Sequence, residues 1–238
     1  MDLNILHEDN DITVCVKPKG VLSEDAQNGE KGIIGLLSDR AEKSLHLLHR
    51  LDRNVSGVMV FANNKKSAAK LSADIANGKL YKEYLAVTDG IPEGDTGVYK
   101  DLLFKDSRKN RSYVVNRVRK GVKEASLEYK VVKKTECKAM VRVLLHTGRT
   151  HQIRVQFASR KTPLTGDAKY GSKDRKGDIA LHSYRIRFNH PVTGKEMIFI
   201  SQPDFNSYPW DMFGDENDAR IIRQIQWCAC KYGYCISG

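Results

Sequence analysis

The stretch His49-Arg50-Leu51-Asp52-Arg53-Asn54-Val55-Ser56-Gly57, followed at once by the apolar run Val58-Met59-Val60-Phe61-Ala62, organises the rest of this chain. It places an acidic side chain between two arginines, in a loop before a β-branched strand, where a scaffold can hold a reactive group against a ligand. Nearby positive charge favours the ionised carboxylate, which acts as a nucleophile or a base. We therefore single out Asp52 as the candidate reactive residue. The alternative is a loop aspartate that caps a turn and pairs with a surface arginine.

The charge of the chain indicates a polyanionic partner. Its 238 residues include 40 lysines and arginines against 29 aspartates and glutamates, which gives a formal net charge of +11 at pH 7. A hydrophobic content of 40% with 29% charged residues is typical of a globular protein and excludes a disordered or membrane-embedded chain. Such a positive excess is expected of a protein that binds a polyanion. The alternative is a basic surface that has no ligand.

The N-terminal residues and the cysteines predict a cytoplasmic protein. Residues 1–8 contain an early acid and no long apolar core, so we expect no signal peptide. No uncharged apolar run approaches the roughly 20 residues that a membrane-spanning helix needs, so we expect no membrane association. Five cysteines, an odd number at scattered positions, favour a reducing compartment over a disulfide framework.

The hydrophobic pattern of the first third of the chain alternates short strands with two helices. Apolar residues at every second position, bounded by turn residues, predict the strands. These are Leu3–His7, Ile12–Val16, Val58–Ala62 and Tyr81–Val87. A short helix is predicted within residues 33–40. A second helix is expected after an Asn63-Asn64 cap and before Gly78, with Ala68, Leu71 and Ile75 on its apolar face.

Residues 100–124 carry nine lysines and arginines against three acids. Because Tyr113 and Val114-Val115 interrupt the charges, we interpret this segment as a basic β-hairpin that follows phosphates. The alternative is a solvated hairpin without a ligand. Further strands are predicted at Ala125–Val132, Cys137–Leu145, Ala180–Phe188 and Met197–Ile200.

A second stretch of chemical interest is Thr147-Gly148-Arg149-Thr150-His151-Gln152-Ile153-Arg154. Gly148 and Thr150 indicate a turn and a helix cap, which predicts a helix over residues 152–159. A basic residue beside a helix start is well placed to meet a carboxylate or a phosphate. A surface arginine near an ordinary cap is the alternative.

The tail from residue 211 onward changes character. Ile221, Ile222, Ile225 and Trp227 predict a short amphipathic helix ahead of Cys228, Cys230 and Cys235. Three thiols without a fourth ligand at a familiar spacing favour reduced cysteines over a metal site.

Three separated stretches resemble the motifs of the RluA-type RNA pseudouridine synthases, in the same order and at similar separations. The stretch around Asp52 with Ser56-Gly57 resembles the first motif, Lys82 with Tyr84 and Ala86 the second, and residues 147–154 the third. Lesser matches are Lys17-Pro18-Lys19-Gly20, Gly166-Asp167 with Tyr170-Gly171, and Leu181-His182 leading to His190-Pro191. The resemblance covers residues 3–209, with departures at Val55 and Gln156, where the family commonly has Thr and His.

The resemblance implies an enzyme that isomerises specific uridines to pseudouridine in structured RNA, ribosomal or transfer, without a metal or an organic cofactor. It implies that Asp52 is the catalytic nucleophile, that Tyr84 packs against the target uracil and that Arg154 pairs with the Asp52 carboxylate. Base flipping is implied too, because a uridine inside a helix is out of reach. The resemblance also implies substrate-binding roles for His49, Arg50, Leu51, Arg149, Thr150, His151 and Gln152.

The fold that the resemblance implies is α+β, with the mixed, largely antiparallel sheet of a pseudouridine synthase catalytic domain, flanking helices and a central basic cleft. We expect this domain to span residues 1–209 and residues 210–238 to form a helical tail. We expect no N-terminal S4-type RNA-binding domain and a monomeric protein.

Two other classes of function stay open. One is a non-catalytic RNA-binding protein that keeps the cleft. The other is a serine hydrolase that uses Ser56 with His49 or His151, although the chain has no Gly-x-Ser-x-Gly motif.

Overall fold

A computed structural model describes residues 3–214, and its contacts divide the chain into two compact units. Of the described residues, the first unit contains 3–84, 144–151 and 181–203, and the second contains 85–143, 152–180 and 204–214. The expected boundary after residue 209 stays a prediction. The expected tail helix and its three cysteines lie outside the described residues.

The regular elements follow the predicted pattern closely. The helices are α1 (Ile33–Ala41), α2 (Lys65–Ala76) and α3 (Gln152–Ala158). The strands are β1 (Asn4–Glu8), β2 (Ile12–Lys17), β3 (His46–Leu47), β4 (Ser56–Ala62), β5 (Tyr81–Asp89), β6 (Thr96–Asp106), β7 (Arg111–Val115), β8 (Val122–Lys134), β9 (Lys138–Leu145), β10 (Leu181–Asn189) and β11 (Glu196–Ile200). Short 3-10 helices cover Ala168–Tyr170 and Trp210–Phe213.

In the first unit, β4 is the central strand. It pairs antiparallel with β2 and β3, and β2 pairs in turn with β1. Strand β10 pairs with β4 in parallel at Gly57 and Ser183, and β11 pairs antiparallel with β10. Gly57 has a φ of 116°, and a Cβ atom there would lie 2.3 Å from the Ser183 carbonyl oxygen, so this close approach requires glycine.

The core of the first unit is an apolar cluster on β2, β4, β10 and α2. The Asn64 side chain caps α2 by accepting the backbone N–H of Ser67, as the sequence predicts. This cap and the burial of Leu71 hold α2 against the sheet. The buried members of the cluster are Ile12, Val14, Val58, Val60, Ala62, Leu71, Leu80, Ile186 and Phe188.

In the second unit, β6 pairs antiparallel with both β7 and β8, and β9 lies beside β8. Strands β6 and β7 form the predicted basic hairpin, whose turn follows Asp106. Helix α3 packs Phe157 against the rings of Tyr99 and Tyr129, with ring centroids 5.2 and 5.6 Å apart. Strand β6 of the hairpin is therefore anchored by a cluster of three aromatic rings, those of Tyr99, Tyr129 and Phe157.

The mixed, largely antiparallel sheet and the flanking helices of the predicted α+β fold are confirmed. The central basic cleft stays a prediction. No helix among residues 3–214 has both the length and the apolar character to cross a membrane.

Candidate active site

The loop that carries Asp52 connects β3 to β4 and is fixed on both sides of the residue. One hydroxyl, that of the buried Ser23, accepts the backbone N–H of Leu51 at 2.9 Å and donates to the Leu51 carbonyl at 2.7 Å. The backbone N–H of Val55 closes a turn onto the Asp52 carbonyl at 3.0 Å. Leu51 itself is buried. The backbone on which Asp52 sits is thus held before any ligand arrives.

Lys17 fixes the other end of the same loop. Its fully buried ammonium donates to the carbonyl oxygens of Pro18, Val21 and Arg53, at 2.8, 2.7 and 3.1 Å. Burial lowers the pKa of Lys17 to about 8, and the negative charge of Asp52 opposes that decrease. The ammonium therefore also supplies a positive charge close to the candidate nucleophile.

His151 approaches the Asp52 carboxylate directly. The side chain of Asp52 is 30% exposed, and its Oδ2 lies 3.7 Å from Nε2 of His151. The backbone of His151 has a φ of 53°, a left-handed conformation that few residues other than glycine adopt. This conformation comes immediately before α3 and places the imidazole ring at Asp52. A protonated His151 would attract the carboxylate through charge.

Arg50 and Arg53 have carboxylate partners of their own. Arg50 forms an ion pair with Glu24, and Arg53 forms one with Glu30 at 2.6 Å. All four side chains are exposed, so water screens these pairs and each contributes little to stability. The sequence interpretation, in which both arginines act on Asp52, did not foresee these two partners.

Tyr84 lies on β5 in the same unit and is buried. Burial and, less strongly, the nearby charge of Asp52 raise the pKa of its hydroxyl, and the side chain of Ser183 acts in the opposite direction. The phenol is therefore neutral at physiological pH. The structure brings Asp52, Tyr84 and His151 together in the first unit.

His49 is neutral. Its Nε2 accepts the backbone N–H of Val60 at 3.2 Å, which assigns the ring proton to Nδ1. Burial lowers the pKa of this imidazole to about 3, and the positive charge of Lys82 acts in the same direction. Among residues 3–214, the buried Nδ1 atom has no hydrogen-bond partner. Arg149 and Thr150, in the stretch before α3, are half-buried.

Arg154 and Gln152 belong to the second unit and begin α3. Nε and Nη2 of Arg154 donate to the two carboxylate oxygens of Asp167 at 2.7 and 2.9 Å, and both residues are buried. The Tyr170 ring lies 5.1 Å from the same guanidinium. Nε2 of Gln152 donates to the Ser126 carbonyl. The pairing of Arg154 with Asp52 stays a prediction.

Ser56 pairs with His182, which the hydrolase hypothesis did not name. Its hydroxyl lies 2.8 Å from Nδ1 of His182, and Nε2 of His182 lies 2.9 Å from the Ser201 carbonyl. Because a carbonyl only accepts, Nε2 carries the proton and Nδ1 accepts from Ser56. This arrangement joins the start of β4 to β10. The hydrolase hypothesis named His49 and His151, and the structure gives Ser56 a different partner.

Three ligand-type residues, Asp9, Asp11 and His190, have side-chain atoms within 4.8 Å of one another. The Nδ1 atom of His190 accepts the backbone N–H groups of Val192 and Thr193, so its Nε2 carries the proton and donates to Asp9. With both ring nitrogens used in this way, the imidazole offers no lone pair to a metal. The predicted lack of a metal stays a prediction.

Sequence reasoning missed the groups that hold the site. Ser23, His182 and Asp167 received no role from their spacing, although Lys17, His182 and Asp167 each lie in a stretch that resembles a family motif. Their position in those motif-like stretches was the one sequence feature that could have indicated a role for Lys17, His182 and Asp167. The residues that each of them contacts became visible only in the structure.

Removing the Ser23 hydroxyl is expected to slow the uridine isomerisation that the motif resemblance implies. In Ser23→Ala, both hydrogen bonds to Leu51 are lost, so the Asp52 backbone is less well positioned, and the single-turnover rate should fall about tenfold. Stability should fall by about 1–2 kcal/mol. Ser67→Ala, which removes a buried hydroxyl bound to Asp11, is the control for stability alone. An unchanged rate in Ser23→Ala would show that the two hydrogen bonds between Ser23 and Leu51 do not position Asp52.

Acid should destabilise the fold through His49 and His182. Their pKa values are about 3 and about 4 in the folded chain, against 6.5 for an unperturbed histidine. Below pH 6.5 the unfolded chain binds more protons, so the free energy of unfolding decreases as the pH falls towards these folded values. We expect a loss of roughly 3–4 kcal/mol between pH 7 and pH 5, about half from each histidine, measured by urea unfolding. His182→Gln should flatten this dependence, and an unaltered slope would contradict the assignment.

Comparison with protein families gives a match to a model described as RNA pseudouridylate synthase, over residues 11–159. A ribosomal large subunit pseudouridine synthase C of Buchnera aphidicola subsp. Schizaphis graminum is 32% identical over 218 residues, covering 86% of this chain and 69% of that protein. An uncharacterized RNA pseudouridine synthase of Bacillus subtilis, YlyB, is 32% identical, covering 84% of this chain and 68% of that protein.

Solved structures share the fold. Human RNA pseudouridylate synthase domain containing 1 superposes with a TM-score of 0.72 at 21% identity, covering 94% of this chain and 95% of that one. Human RNA pseudouridylate synthase domain containing 4 gives a TM-score of 0.71 at 22% identity, covering 94% and 93%. At 21–22% sequence identity, these superpositions show a shared fold and nothing more.

Proposed function

Since this chain belongs to the RNA pseudouridine synthase family, whose members are isomerases, we propose that it converts specific uridines of structured RNA to pseudouridine, with Asp52 as the nucleophile. The family match over residues 11–159 is the observation that carries the proposal. The fixed loop around Asp52, with Lys17 and His151 beside it, supports the choice of nucleophile.

The reaction breaks the bond between the sugar carbon C1′ and N1 of uracil, turns the ring and joins C1′ to C5. An Asp52 carboxylate that attacks C1′ forms an ester bond while the C1′–N1 electron pair leaves with the base. C5 then displaces the carboxylate from C1′. Finally, the C5 proton is lost, its electron pair restores the ring double bond, and N1 takes up a proton. Attack of the carboxylate at C6 of the base is the alternative first step.

Tyr84 supplies the surface that holds the detached ring. A flipped base loses its stacking in the RNA, and an aromatic face compensates for part of that loss. The buried ring of Tyr84, within the influence of the Asp52 charge, supports this role. In this proposal its hydroxyl also assists the removal of the C5 proton.

Arg154 stabilises the charge of the nucleophile in this proposal. A carboxylate in a closed pocket tends to take up a proton, and a guanidinium opposes that tendency. The ion pair with Asp167 supports the role, because it fixes the plane of the guanidinium. The RNA-contacting residues that we propose are His49, Arg50, Leu51, Arg149, Thr150, His151 and Gln152.

We propose ribosomal RNA as the first substrate to test and transfer RNA as the second. The relative from Buchnera aphidicola is named for the large ribosomal subunit, which favours the first. The net charge of +11 and the basic hairpin of β6 and β7 fit any RNA, through phosphate contacts. We further propose a monomeric cytoplasmic enzyme that uses no metal and no organic cofactor, with a basic cleft in a catalytic domain of residues 1–209.

A site-resolved pseudouridine map tests this function. RNA from cells with and without the gene is treated with carbodiimide, and the modified positions are read by primer extension. We expect one or more pseudouridines to disappear with the gene and to return when purified protein is added to the unmodified RNA. Identical maps, combined with retained RNA binding, would favour the non-catalytic RNA-binding protein.

A further inference from the structure

Lys82 is a desolvated lysine that has no polar partner within residues 3–214. Its side chain is half-buried on β5, and burial lowers its pKa below the usual lysine range. Among the residues that the structure describes, it has no hydrogen-bond acceptor and no carboxylate in ion-pair contact. The other enclosed lysines differ, because Lys17 donates to three carbonyls and Lys138 contacts Asp89 and Asp174. Only Lys82 among these three keeps its charge without compensation, which costs stability.

The amine of Lys82 lies where the three stretches that resemble family motifs approach one another. Its charge acts on His49 of the first stretch. Its Nζ would lie 3.3 Å from a Cβ atom on Gly148 of the third stretch. Tyr84 follows two residues later on β5, so both side chains emerge on the same face of the strand. All of these residues belong to the first unit.

The ring of His49 brings a hydrogen-bond donor close to this amine. The ring of His49 is neutral, and its proton-bearing Nδ1 has no hydrogen-bond partner among residues 3–214. Gly148 contributes no side chain, which leaves room beside the amine. A desolvated ammonium with the Nδ1–H donor of His49 nearby fits an anionic oxygen from outside the chain. Among the groups of an RNA substrate, the phosphodiester supplies such an oxygen in the ground state.

We propose that the ammonium of Lys82 binds a non-bridging phosphate oxygen of the substrate RNA, next to the target uridine. This inference rests on the proposed function, because it takes RNA as the ligand. A compact ammonium binds phosphate as a point charge. The phosphate would supply the compensation that the folded chain does not, and the same contact would anchor the backbone from which the base is flipped.

Binding measurements across a salt series test the proposal without requiring catalysis. The probe is the RNA identified by the pseudouridine map, or transcribed large-subunit ribosomal RNA if the map is empty. For Lys82→Gln we expect affinity about tenfold lower at low salt. The slope of log K against log salt should become shallower by about 0.7, as for one lost phosphate contact in a single strand. Lys82→Arg, which keeps the charge, should retain the wild-type slope.

Two controls isolate the contact. Lys79→Gln removes an exposed charge three residues away, and we expect less than a twofold change in affinity. The melting temperature of Lys82→Gln should equal or exceed that of the wild type, because an uncompensated charge has been removed from a desolvated site. A marked decrease would show a structural role for Lys82 and overturn the proposal.

Other outcomes also overturn it. If Lys82→Gln keeps the affinity and the salt slope but lowers the single-turnover rate, the amine acts on the base and not on a phosphate. If the slope is unchanged and the rate is too, the amine makes no RNA contact. A wild-type protein that binds RNA with the Lys82-dependent slope but forms no pseudouridine would refute the proposed function and leave this contact standing.

Discussion

Replacing Asp52 with asparagine should abolish pseudouridine formation, with a decrease of about a thousandfold or more in the single-turnover rate. The amide has nearly the same shape as the carboxylate, so the loop held by Ser23 and Lys17 should keep its conformation. What is lost is the negatively charged oxygen that forms the bond to the nucleotide. RNA affinity should stay within a few fold of the wild type.

The measurement is the pseudouridine map combined with a single-turnover assay on one mapped site. Asp39→Asn is the matched control, since it makes the same chemical change at an exposed residue of α1. Asp52→Ala should behave like Asp52→Asn. If Asp52→Asn forms pseudouridine at the wild-type rate, the nucleophile is another residue and the interpretation of the whole first motif is wrong.

Truncating Arg154 should destabilise the protein by about 3–5 kcal/mol and also slow the reaction. The variant Arg154→Ala leaves the carboxylate of Asp167, which has 0% side-chain exposure, without the guanidinium that it contacts through both oxygens. An uncompensated charge in a buried position is the most costly result of breaking such a pair. It also removes the stacking of the guanidinium on Tyr170.

Urea unfolding of three further variants tests this account. Asp167→Ala should cost a similar amount, because it strands the opposite charge. The double variant Arg154→Met with Asp167→Leu should recover much of the stability, since no unpaired charge remains. Arg160→Ala breaks a more exposed pair with Asp101 and should cost less. A loss below about 1 kcal/mol in Arg154→Ala would contradict the importance of this ion pair.

The rate of Arg154→Ala has to be read together with its stability. If the variant is folded at the assay temperature and its rate falls while RNA affinity holds, the arginine acts on the reaction. If Asp167→Asn, which keeps the shape of the partner, slows the reaction as well, Asp167 positions the catalytic arginine. The rate and RNA affinity of Arg154→Ala, together with the rate of Asp167→Asn, separate a role in chemistry from a role in folding.

The sequence alone determined most of the regular structure. The predicted strand at Ile12–Val16 and the observed β2 differ by one residue, and the predicted Asn64 cap does begin α2. Apolar periodicity and capping act over a few residues, so they can be seen in a single chain. The ordered motifs likewise predicted the RNA pseudouridine synthase family, and the family match confirms it.

The tertiary structure decided which side chains meet. Ser23 contacts Leu51 across 28 residues and Ser56 contacts His182 across 126, and no spacing rule predicts contacts at such separations. The carboxylate partners of Arg50 and Arg53, Glu24 and Glu30, are likewise not predictable from the neighbouring sequence. That Lys82 has no hydrogen-bond or ion-pair partner within residues 3–214 is also a property of the folded chain. Local chemistry fixes elements, whereas the path of the chain in space determines the environment, charge and partners of each reactive group.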